Sequence, residues 1–113
     1  MNISESTKHG ITIVSVKSPR IDASSAPEFK DALGAVVSRG VPRFVLDLSA
    51  VSFIDSTGLG ALIAAVKALG RTGGVAVSGA SDPVATLFRV TRMDKVFRMF
   101  ASDEEAAAAL VTA

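Results

Sequence analysis

Short apolar runs alternate with helix-length amphipathic segments along the chain, and this alternation restricts the possible folds more than any other feature. Residues 43–48 (RFVLDL) are almost continuously apolar, which is typical of a strand covered on both faces. Residues 75–77 (VAV) repeat that pattern, residues 10–16 (GITIVSV) are rich in β-branched residues, and residues 96–100 (VFRMF) are predicted as the last strand. The order predicts an α/β domain whose mostly parallel central sheet has four to five strands, with alternating helices.

The segments between the predicted strands carry helix start signals. Residues 25–28 (SAPE) and 102–105 (SDEE) match capping boxes, in which a serine and a glutamate each cover a free backbone amide. Residues 81–83 (SDP) join a capping residue to a proline in the first turn. Apolar residues after the starts recur every three or four positions, which predicts buried helix faces. The predicted faces are Phe29, Leu33, Val36 and Val37; Leu59, Leu62, Ile63, Val66 and Leu69; and Val84, Leu87 and Phe88.

Length and composition restrict the function classes. A single domain is expected over residues 1–113, with residues 1–8 as a polar N-terminal lead. The chain has no cysteine and its one histidine is His9, which excludes thiolate chemistry and a histidine-based metal site, so no cofactor is predicted. Its 12 Lys and Arg residues form no run and it lacks Trp and Tyr, so nucleic acid is not a predicted partner. No apolar run approaches the roughly 18 residues of a membrane span, so we expect a cytoplasmic protein without direct membrane contact.

The segment Asp55-Ser56-Thr57-Gly58 lies where an apolar run gives way to a predicted helix. Asp, Ser and Thr can all cap a helix start, so capping is the simplest interpretation. A cap needs only one such residue, however. Gly58 and Gly60 in the first turn each lower helix stability by about 1 kcal/mol relative to alanine, so helix stability alone does not explain them. A helix N-terminus also favours an anion. A phosphate on Ser56 would add about −1.5 to −2 charges beside Asp55 and would repel a partner docked there.

Three enzymatic interpretations fit this segment poorly. A G-x-S-x-G nucleophile elbow would need a glycine at Ile54, and its base would have to be His9. A dinucleotide fingerprint that starts at Gly58 would need a small residue at Ile63 and glycines ahead of the helix. A phosphate-binding P-loop lacks its Gly-Lys-Ser/Thr ending, which leaves only a looser nucleotide contact open.

Three segments together make the chain similar to the STAS domains, and most closely to the stand-alone anti-sigma factor antagonists of bacteria. They are residues 20–33 (RIDASSAPEFKDAL), 45–69 (VLDLSAVSFIDSTGLGALIAAVKAL) and 93–110 (MDKVFRMFASDEEAAAAL). The middle segment carries the family's identifying pattern: a strand ending in Asp-Leu, a short loop, Asp-Ser-Thr-Gly-Leu-Gly and an amphipathic helix. The resemblance covers nearly the whole chain and implies a single STAS-type domain.

The resemblance also implies a phosphorylation-switched binding function, with no catalysis by the chain itself. The residue that is phosphorylated in the antagonists corresponds to Ser56, its neighbour Thr57 to a helix cap, and the family's aspartate before the first helix to Asp22. The unphosphorylated form would bind an anti-sigma factor serine kinase of the histidine-kinase-like ATPase type and so release the sigma factor, and a serine phosphatase acting on phosphorylated Ser56 would restore binding. The implied docking patch comprises Asp22, Asp55, Ser56, Thr57, Gly58 and Leu59.

The same resemblance leaves an alternative function open. STAS domains also serve as subunits of transporters or of lipid-transport ATP-binding cassette complexes, where no phosphorylation switch would operate. In addition, the chain is slightly basic and has an arginine-rich stretch, which we expect to be a solvated helix face and loop, with a second contact surface as the alternative. That stretch contains Arg89, Arg92, Lys95 and Arg98.

Several remaining residues have simpler expected roles. His9 is expected to be solvent-exposed or on an edge strand. Asp47, the one charge in its strand, is expected to bond loop amides. Phe53 and Ile54 are expected to hold the loop ahead of Ser56 in place by burial. The remaining expected core residues near the C-terminus are Met93, Phe97, Met99 and Phe100.

Overall fold

The structure, a computed structural model, describes residues 1–68 and 74–111 of the chain. Leu69, Gly70 and Gly73, which the sequence places at the end of the helix after Asp55, lie outside the described residues. The described part contains strands and helices in the alternating order that the sequence predicts. In chain order these are β1 (Ile3–Lys8), β2 (Ile11–Val16), β3 (Arg20–Ile21), α1 (Ala26–Ser38), β4 (Phe44–Asp47), β5 (Phe53–Ile54), α2 (Ser56–Ala68), β6 (Val75–Ser78), α3 (Asp82–Val90), a 3-10 turn (Met93–Lys95), β7 (Arg98–Phe100) and α4 (Asp103–Val111).

The central sheet has five strands in the order β1-β2-β4-β6-β7. The pairs β2–β4, β4–β6 and β6–β7 are parallel, whereas β1 and β2 form an antiparallel hairpin. The predicted α/β fold with a mostly parallel sheet is therefore confirmed. The predicted polar lead, residues 1–8, contains the edge strand β1, whose mostly exposed side chains leave no apolar alternation to read from the sequence. His9 and Gly10 make the hairpin turn with φ of 53° and 75°.

Apolar side chains from the central strands pack on both faces of the sheet. Helices α1, α2 and α3 cover one face, where Phe44 and Leu46 of β4 are buried. Helix α4 covers the other face, where Val45 of the same strand packs with Leu110. Because successive residues of a strand point to opposite faces, a strand buried on both sides is apolar throughout. This explains the continuous apolar run in residues 43–48.

The predicted helix faces are confirmed for the described residues. Most of them are fully buried, and Val37, Ile63 and Leu87 are half-buried at the margins of the core. The predicted C-terminal core is confirmed for Phe97, which is buried, while Met93, Met99 and Phe100 are half-buried. Within the described residues, no helix is both long enough and apolar enough to cross a membrane.

Two local predictions are wrong in part. The capping box at α1 does not form, because the Ser25 hydroxyl accepts a hydrogen bond from the Asp22 amide at 3.0 Å and makes no cap bond to the helix. Glu28, its expected partner, lies 2.5 Å from the Met1 amino group. At α4 the serine half of the box does form, since the Glu105 amide donates to the Ser102 hydroxyl at 3.2 Å.

The last strand is shorter than predicted. Strand β7 starts at Arg98 because the amides of Val96 and Phe97 bond back to the Met93 carbonyl at 3.0 and 2.8 Å. A turn that closes on Met93 takes up the first two residues of the predicted strand, residues 96–100.

Candidate functional site

A two-residue parallel ladder between β3 and β5 organises the candidate site. Ile21 pairs with Ile54, and the Asp55 amide donates to the Ile21 carbonyl at 3.1 Å. Asp22 and Asp55 directly follow the paired residues. Paired strands lie about 4.8 Å apart, and the carboxyl ends of parallel strands meet at one edge. The ladder therefore brings Asp22 and Asp55 side by side at the start of α2.

Asp55 caps helix α2. Its carboxylate accepts a hydrogen bond from the Gly58 amide at 2.9 Å, and its carbonyl accepts one from the Leu59 amide at 3.0 Å. The expectation that Thr57 caps this helix is wrong, because α2 begins at Ser56 and Thr57 is already its second residue. A capping side chain must come from the residue just before the first helical turn, and that residue is Asp55.

Ser56 and Thr57 are both exposed in the first turn of α2. No side chain or backbone group of the described residues hydrogen-bonds the Ser56 hydroxyl. Leu59, by contrast, is only 5 % exposed and packs in the core, so it supports the loop and cannot contact a partner. Four residues of the predicted docking patch are thus at the surface: Asp22 and Asp55 half-buried, Ser56 and Thr57 exposed.

The two glycines of the first turn have different surroundings. A Cβ on Gly58 would lie 2.7 Å from both the Cγ2 and the carbonyl oxygen of Ile21, and 3.0 Å from Cγ1 of Ile54. Gly58 therefore lets the helix start approach the β3–β5 ladder closely. Among the described residues a Cβ on Gly60 would meet nothing within 4 Å, so contacts within that part of the chain do not explain this glycine.

Asp22 is held by hydroxyl and cationic partners. The Ser24 hydroxyl donates to its carboxylate at 2.7 Å, the Ser24 amide at 3.1 Å and the Arg20 guanidinium at 3.3 Å. These hydrogen bonds, that from the Ser24 hydroxyl first, lower the pKa of Asp22 below its ordinary value. The site therefore keeps a fixed negative charge at neutral pH beside the start of α2.

A groove between α1 and α2 opens next to these residues. Its volume is about 530 Å³, and Thr57 and Gly60 form part of its wall on α2. Most of the remaining lining is alanine or proline, with a lysine and an aspartate from α1. The lining residues on the α1 side are Ala23, Ala26, Pro27, Lys30 and Asp31, and those further along α2 are Ala61 and Ala64.

Phe53 departs from its prediction. It was expected to be buried with Ile54, but its side chain is 38 % exposed while Ile54 is buried. Adjacent residues of a strand point to opposite faces, so only one of the two can enter the core. The guanidinium carbon of Arg20, the residue opposite Phe53 in the ladder, lies 4.3 Å from the ring centroid. The alternation rule, applied to residues 53–54, could have indicated this exposure.

A second polar cluster lies at the carboxyl ends of β4 and β6. Asp47 accepts a hydrogen bond from the Ser49 amide at 2.9 Å, which confirms its predicted role, and the buried Ser78 hydroxyl donates to Asp103 at 2.5 Å. Asp47 and Asp103 line one crevice of about 210 Å³. Burial raises the pKa of Asp103, and so does its contact with the Asp47 carboxylate. Burial also opposes ionisation of Asp47, but bonds from Ser49 and Asp103 outweigh it and lower that pKa.

Other charged residues that the sequence singles out lie away from this site. Half-exposed His9 places its Nε2 atom 2.6 Å from Glu104 of α4. The four cations of the basic stretch, Arg89, Arg92, Lys95 and Arg98, are exposed, as expected, and within residues 1–68 and 74–111 they form no ion pair. The part of the chain that the structure describes also contains no group of three His, Asp or Glu side chains that could hold a metal.

Comparisons with known proteins agree with this geometry. The family model described as STAS domain matches residues 2–106. The chain is 30 % identical over 98 residues to the anti-sigma-F factor antagonist RsfB of Mycobacterium tuberculosis, covering 87 % of this chain and 80 % of that protein. It superposes on the crystal structure of an anti-sigma factor antagonist from Mycobacterium paratuberculosis with a TM-score of 0.87 and 33 % identity, over 97 % of this chain and 93 % of that one. The fold is shared by a sulfate transporter family protein from Wolinella succinogenes. The two structures superpose with a TM-score of 0.73 and 23 % identity, over 96 % of this chain and 93 % of that one.

Proposed function

The chain belongs to the STAS domain family, and from that premise we propose that it is an anti-sigma factor antagonist switched by phosphorylation of Ser56. The observation that carries the proposal is the exposed Ser56 at the first position of α2, with the Asp55 and Asp22 carboxylates beside it. Two relatives of at least 30 % identity are named anti-sigma factor antagonists, which favours this function over other uses of the fold.

In the proposed resting state the chain binds an anti-sigma factor through the docking patch. Asp22, Asp55, Ser56 and Thr57 supply its exposed polar groups, and Gly58 lets them sit close to the ladder. The partner is a serine kinase of the histidine-kinase-like ATPase type. Binding would occupy the surface with which that kinase holds its sigma factor, and the sigma factor would be released in the cytoplasm. The chain contributes a binding surface and no catalytic group.

Phosphorylation ends this interaction. The Ser56 hydroxyl oxygen attacks the γ-phosphorus of ATP bound to the kinase, the bond from that phosphorus to ADP breaks, and the hydroxyl proton passes to a base of the kinase. The product carries about −1.5 to −2 charges beside two carboxylates. Each unit-charge pair at 4 Å is worth about 1 kcal/mol in water and about 4 kcal/mol near a protein surface. If one carboxylate of the partner lies about 4 Å from the phosphate, repulsion between the two groups therefore weakens binding at least about tenfold.

The α2 N-terminus explains why the phosphate is tolerated by the chain itself. Free amides and the helix dipole favour an anion there, and Ser56 is exposed, so the added group extends into solvent. Phosphorylation should therefore change binding without unfolding the domain. A serine phosphatase that removes the group would restore the docking patch.

Intact-mass spectrometry tests the phosphorylation step. The chain is incubated with ATP and each histidine-kinase-like ATPase protein from the same organism, alongside Ser56→Ala and the control Thr86→Ala, which removes an exposed hydroxyl outside the docking patch. We expect wild type and Thr86→Ala to gain one phosphate and Ser56→Ala to gain none. Transfer to Ser56→Ala, or no transfer with any of these kinases, would refute the proposal, and the second result would favour the transporter-subunit alternative.

A further inference from the structure

Phe53 is the one phenylalanine of the chain that presents much of its ring to solvent. Its side chain is 38 % exposed and lies on a two-residue strand at the surface. The other five phenylalanines are buried or half-buried: Phe29, Phe44, Phe88, Phe97 and Phe100. Large exposed aromatic side chains next to charged groups are typical of protein interfaces. The position of Phe53 therefore calls for an explanation beyond packing.

Arg20 and Phe53 form a fixed pair. The guanidinium carbon stacks 4.3 Å from the ring centroid, and the two residues lie opposite each other in the ladder. The amides of Ser52 and Phe53 both donate to the Pro19 carbonyl, at 2.8 and 3.2 Å, so the backbone on each side is held. A side chain that is already ordered loses little entropy when a partner binds.

The pair is continuous with the docking patch. Arg20 lies two residues before Asp22 and donates to its carboxylate, and Phe53 lies two residues before Asp55 in the paired strand. The Arg20 side chain is 59 % exposed, so its guanidinium can still donate hydrogen bonds to a second carboxylate, from a partner. Any protein that covers both aspartates at this edge of the ladder also approaches this pair.

We propose that Arg20 and Phe53 are the affinity-determining contact of the docking patch. Phe53 packs against an apolar side chain of the anti-sigma factor kinase, and Arg20 pairs with one of its carboxylates. This inference rests on the proposed function. Arginine is enriched in interface hot spots and phenylalanine in interfaces generally, whereas serine and threonine are under-represented in hot spots. The pair thus contributes most of the affinity for the kinase, and phosphorylation of Ser56 weakens binding at the same patch by charge repulsion.

A purely structural role for the pair makes a different prediction. Cross-strand contacts between an arginine and an aromatic ring stabilise a ladder, so their loss would lower the midpoint of unfolding and leave affinity for the partner unchanged. A contact role predicts weaker binding of the partner with an almost unchanged midpoint of unfolding, because a half-exposed side chain contributes little to the core. Stability and affinity must therefore be measured on the same variants.

The test uses the full chain and the kinase that phosphorylates Ser56, with Kd measured by isothermal titration calorimetry in the absence of ATP. The variants are Phe53→Ala and Arg20→Gln, and the matched control is Val90→Ala, which removes a 72 % exposed apolar side chain from the C-terminal end of α3. We expect Phe53→Ala to weaken binding at least about tenfold. Arg20→Gln should weaken it up to about fivefold, and Val90→Ala should leave Kd unchanged.

Thermal unfolding of each variant separates the outcomes. A Kd for both Phe53→Ala and Arg20→Gln within twofold of wild type, with the switch at Ser56 intact, would overturn this inference and leave the proposed function standing. If Phe53→Ala unfolds, Phe53→Thr replaces it, because threonine suits a strand but removes the apolar ring, and an unchanged Kd for that variant and for Arg20→Gln has the same meaning. A wild-type chain that neither binds nor accepts phosphate from any such kinase would overturn both proposals.

Discussion

Replacing Gly58 with alanine tests the close contact on which the site is built. The new Cβ would lie 2.7 Å from the Ile21 carbonyl oxygen and from its Cγ2 atom, and 3.0 Å from Ile54. Ile21 cannot move easily, because its side chain is fully buried and its carbonyl accepts a hydrogen bond from the Asp55 amide at 3.1 Å. Ile54 is buried as well. Overpacking of this kind costs about 1–3 kcal/mol. The helix propensity gained from alanine, at most about 1 kcal/mol, offsets only part of that.

Gly60→Ala is the matched control two residues further along the same helix. Within residues 1–68 and 74–111 its Cβ would meet nothing within 4 Å, so the substitution should stabilise the chain by up to about 1 kcal/mol. Both variants gain the same helix propensity, so we expect their free energies of unfolding to differ by the overpacking cost, about 1–3 kcal/mol. With a urea m-value of about 2 kcal/mol per M, the unfolding midpoints should differ by about 0.5–1.5 M.

Urea denaturation followed by circular dichroism gives both midpoints. Gly58→Ala should unfold below wild type and Gly60→Ala at or above it, with the same m-value for all three chains. A Gly58→Ala variant as stable as Gly60→Ala would show that α2 does not pack against Ile21. The placement of Asp55 and Ser56 beside Asp22 would then lose its structural basis.

Three further predictions concern the cap, the carboxylate pair and a strained turn. Asp55→Ala should lower the free energy of unfolding by about 1 kcal/mol because the Gly58 amide loses its partner, whereas Asp55→Asn should retain most of it; equal urea midpoints for the two variants would contradict the capping role. Burial and the Asp47 carboxylate raise the pKa of Asp103, so the stability that its protonated form contributes is present below pH 3.8 and is lost as pH rises through the raised pKa. The free energy of unfolding of Asp103→Asn should therefore rise relative to that of wild type between about pH 4 and pH 7, as measured from urea midpoints. A constant difference over that range would refute the raised pKa of Asp103. Gly79→Ala should lower the thermal midpoint, since φ is +68° and the new Cβ would lie 2.9 Å from Ser49 Cβ; an unchanged midpoint would contradict this strain.

Most of the fold could be predicted because burial on both faces of a sheet leaves a strong pattern in the sequence. Residues 43–48 are apolar throughout since β4 lies in the middle of the sheet, and the helix faces follow from their three- and four-residue spacing. Strand β1 leaves no such pattern, because an exposed edge strand needs only backbone pairing. The sequence therefore predicted only a polar lead over residues 1–8, where the structure has an edge strand.

The site was harder to predict because it depends on contacts between short segments. Phe53 and Ile54 were both expected in the core because both are apolar, although alternation along a strand allows only one of two adjacent residues to be buried. Three possible capping residues in a row do not reveal which one lies just outside the helix, and Asp55 takes that position instead of Thr57. The hydroxyl of Ser25 likewise bonds a loop amide instead of the helix start. The family resemblance, and not the local pattern, implied that Asp22, Asp55 and Ser56 lie together at one edge.

The measurement that tests the central claim most directly is the affinity of the kinase for the chain before and after phosphorylation of Ser56. Wild-type protein, its phosphorylated form and Ser56→Ala are titrated into the same kinase without ATP, and phosphatase treatment of the phosphorylated form serves as the control. We expect tight binding for wild type and Ser56→Ala, at least about tenfold weaker binding for the phosphorylated form, and recovery after dephosphorylation. Equal affinity of the phosphorylated and unphosphorylated forms would contradict the proposal that Ser56 is the switch.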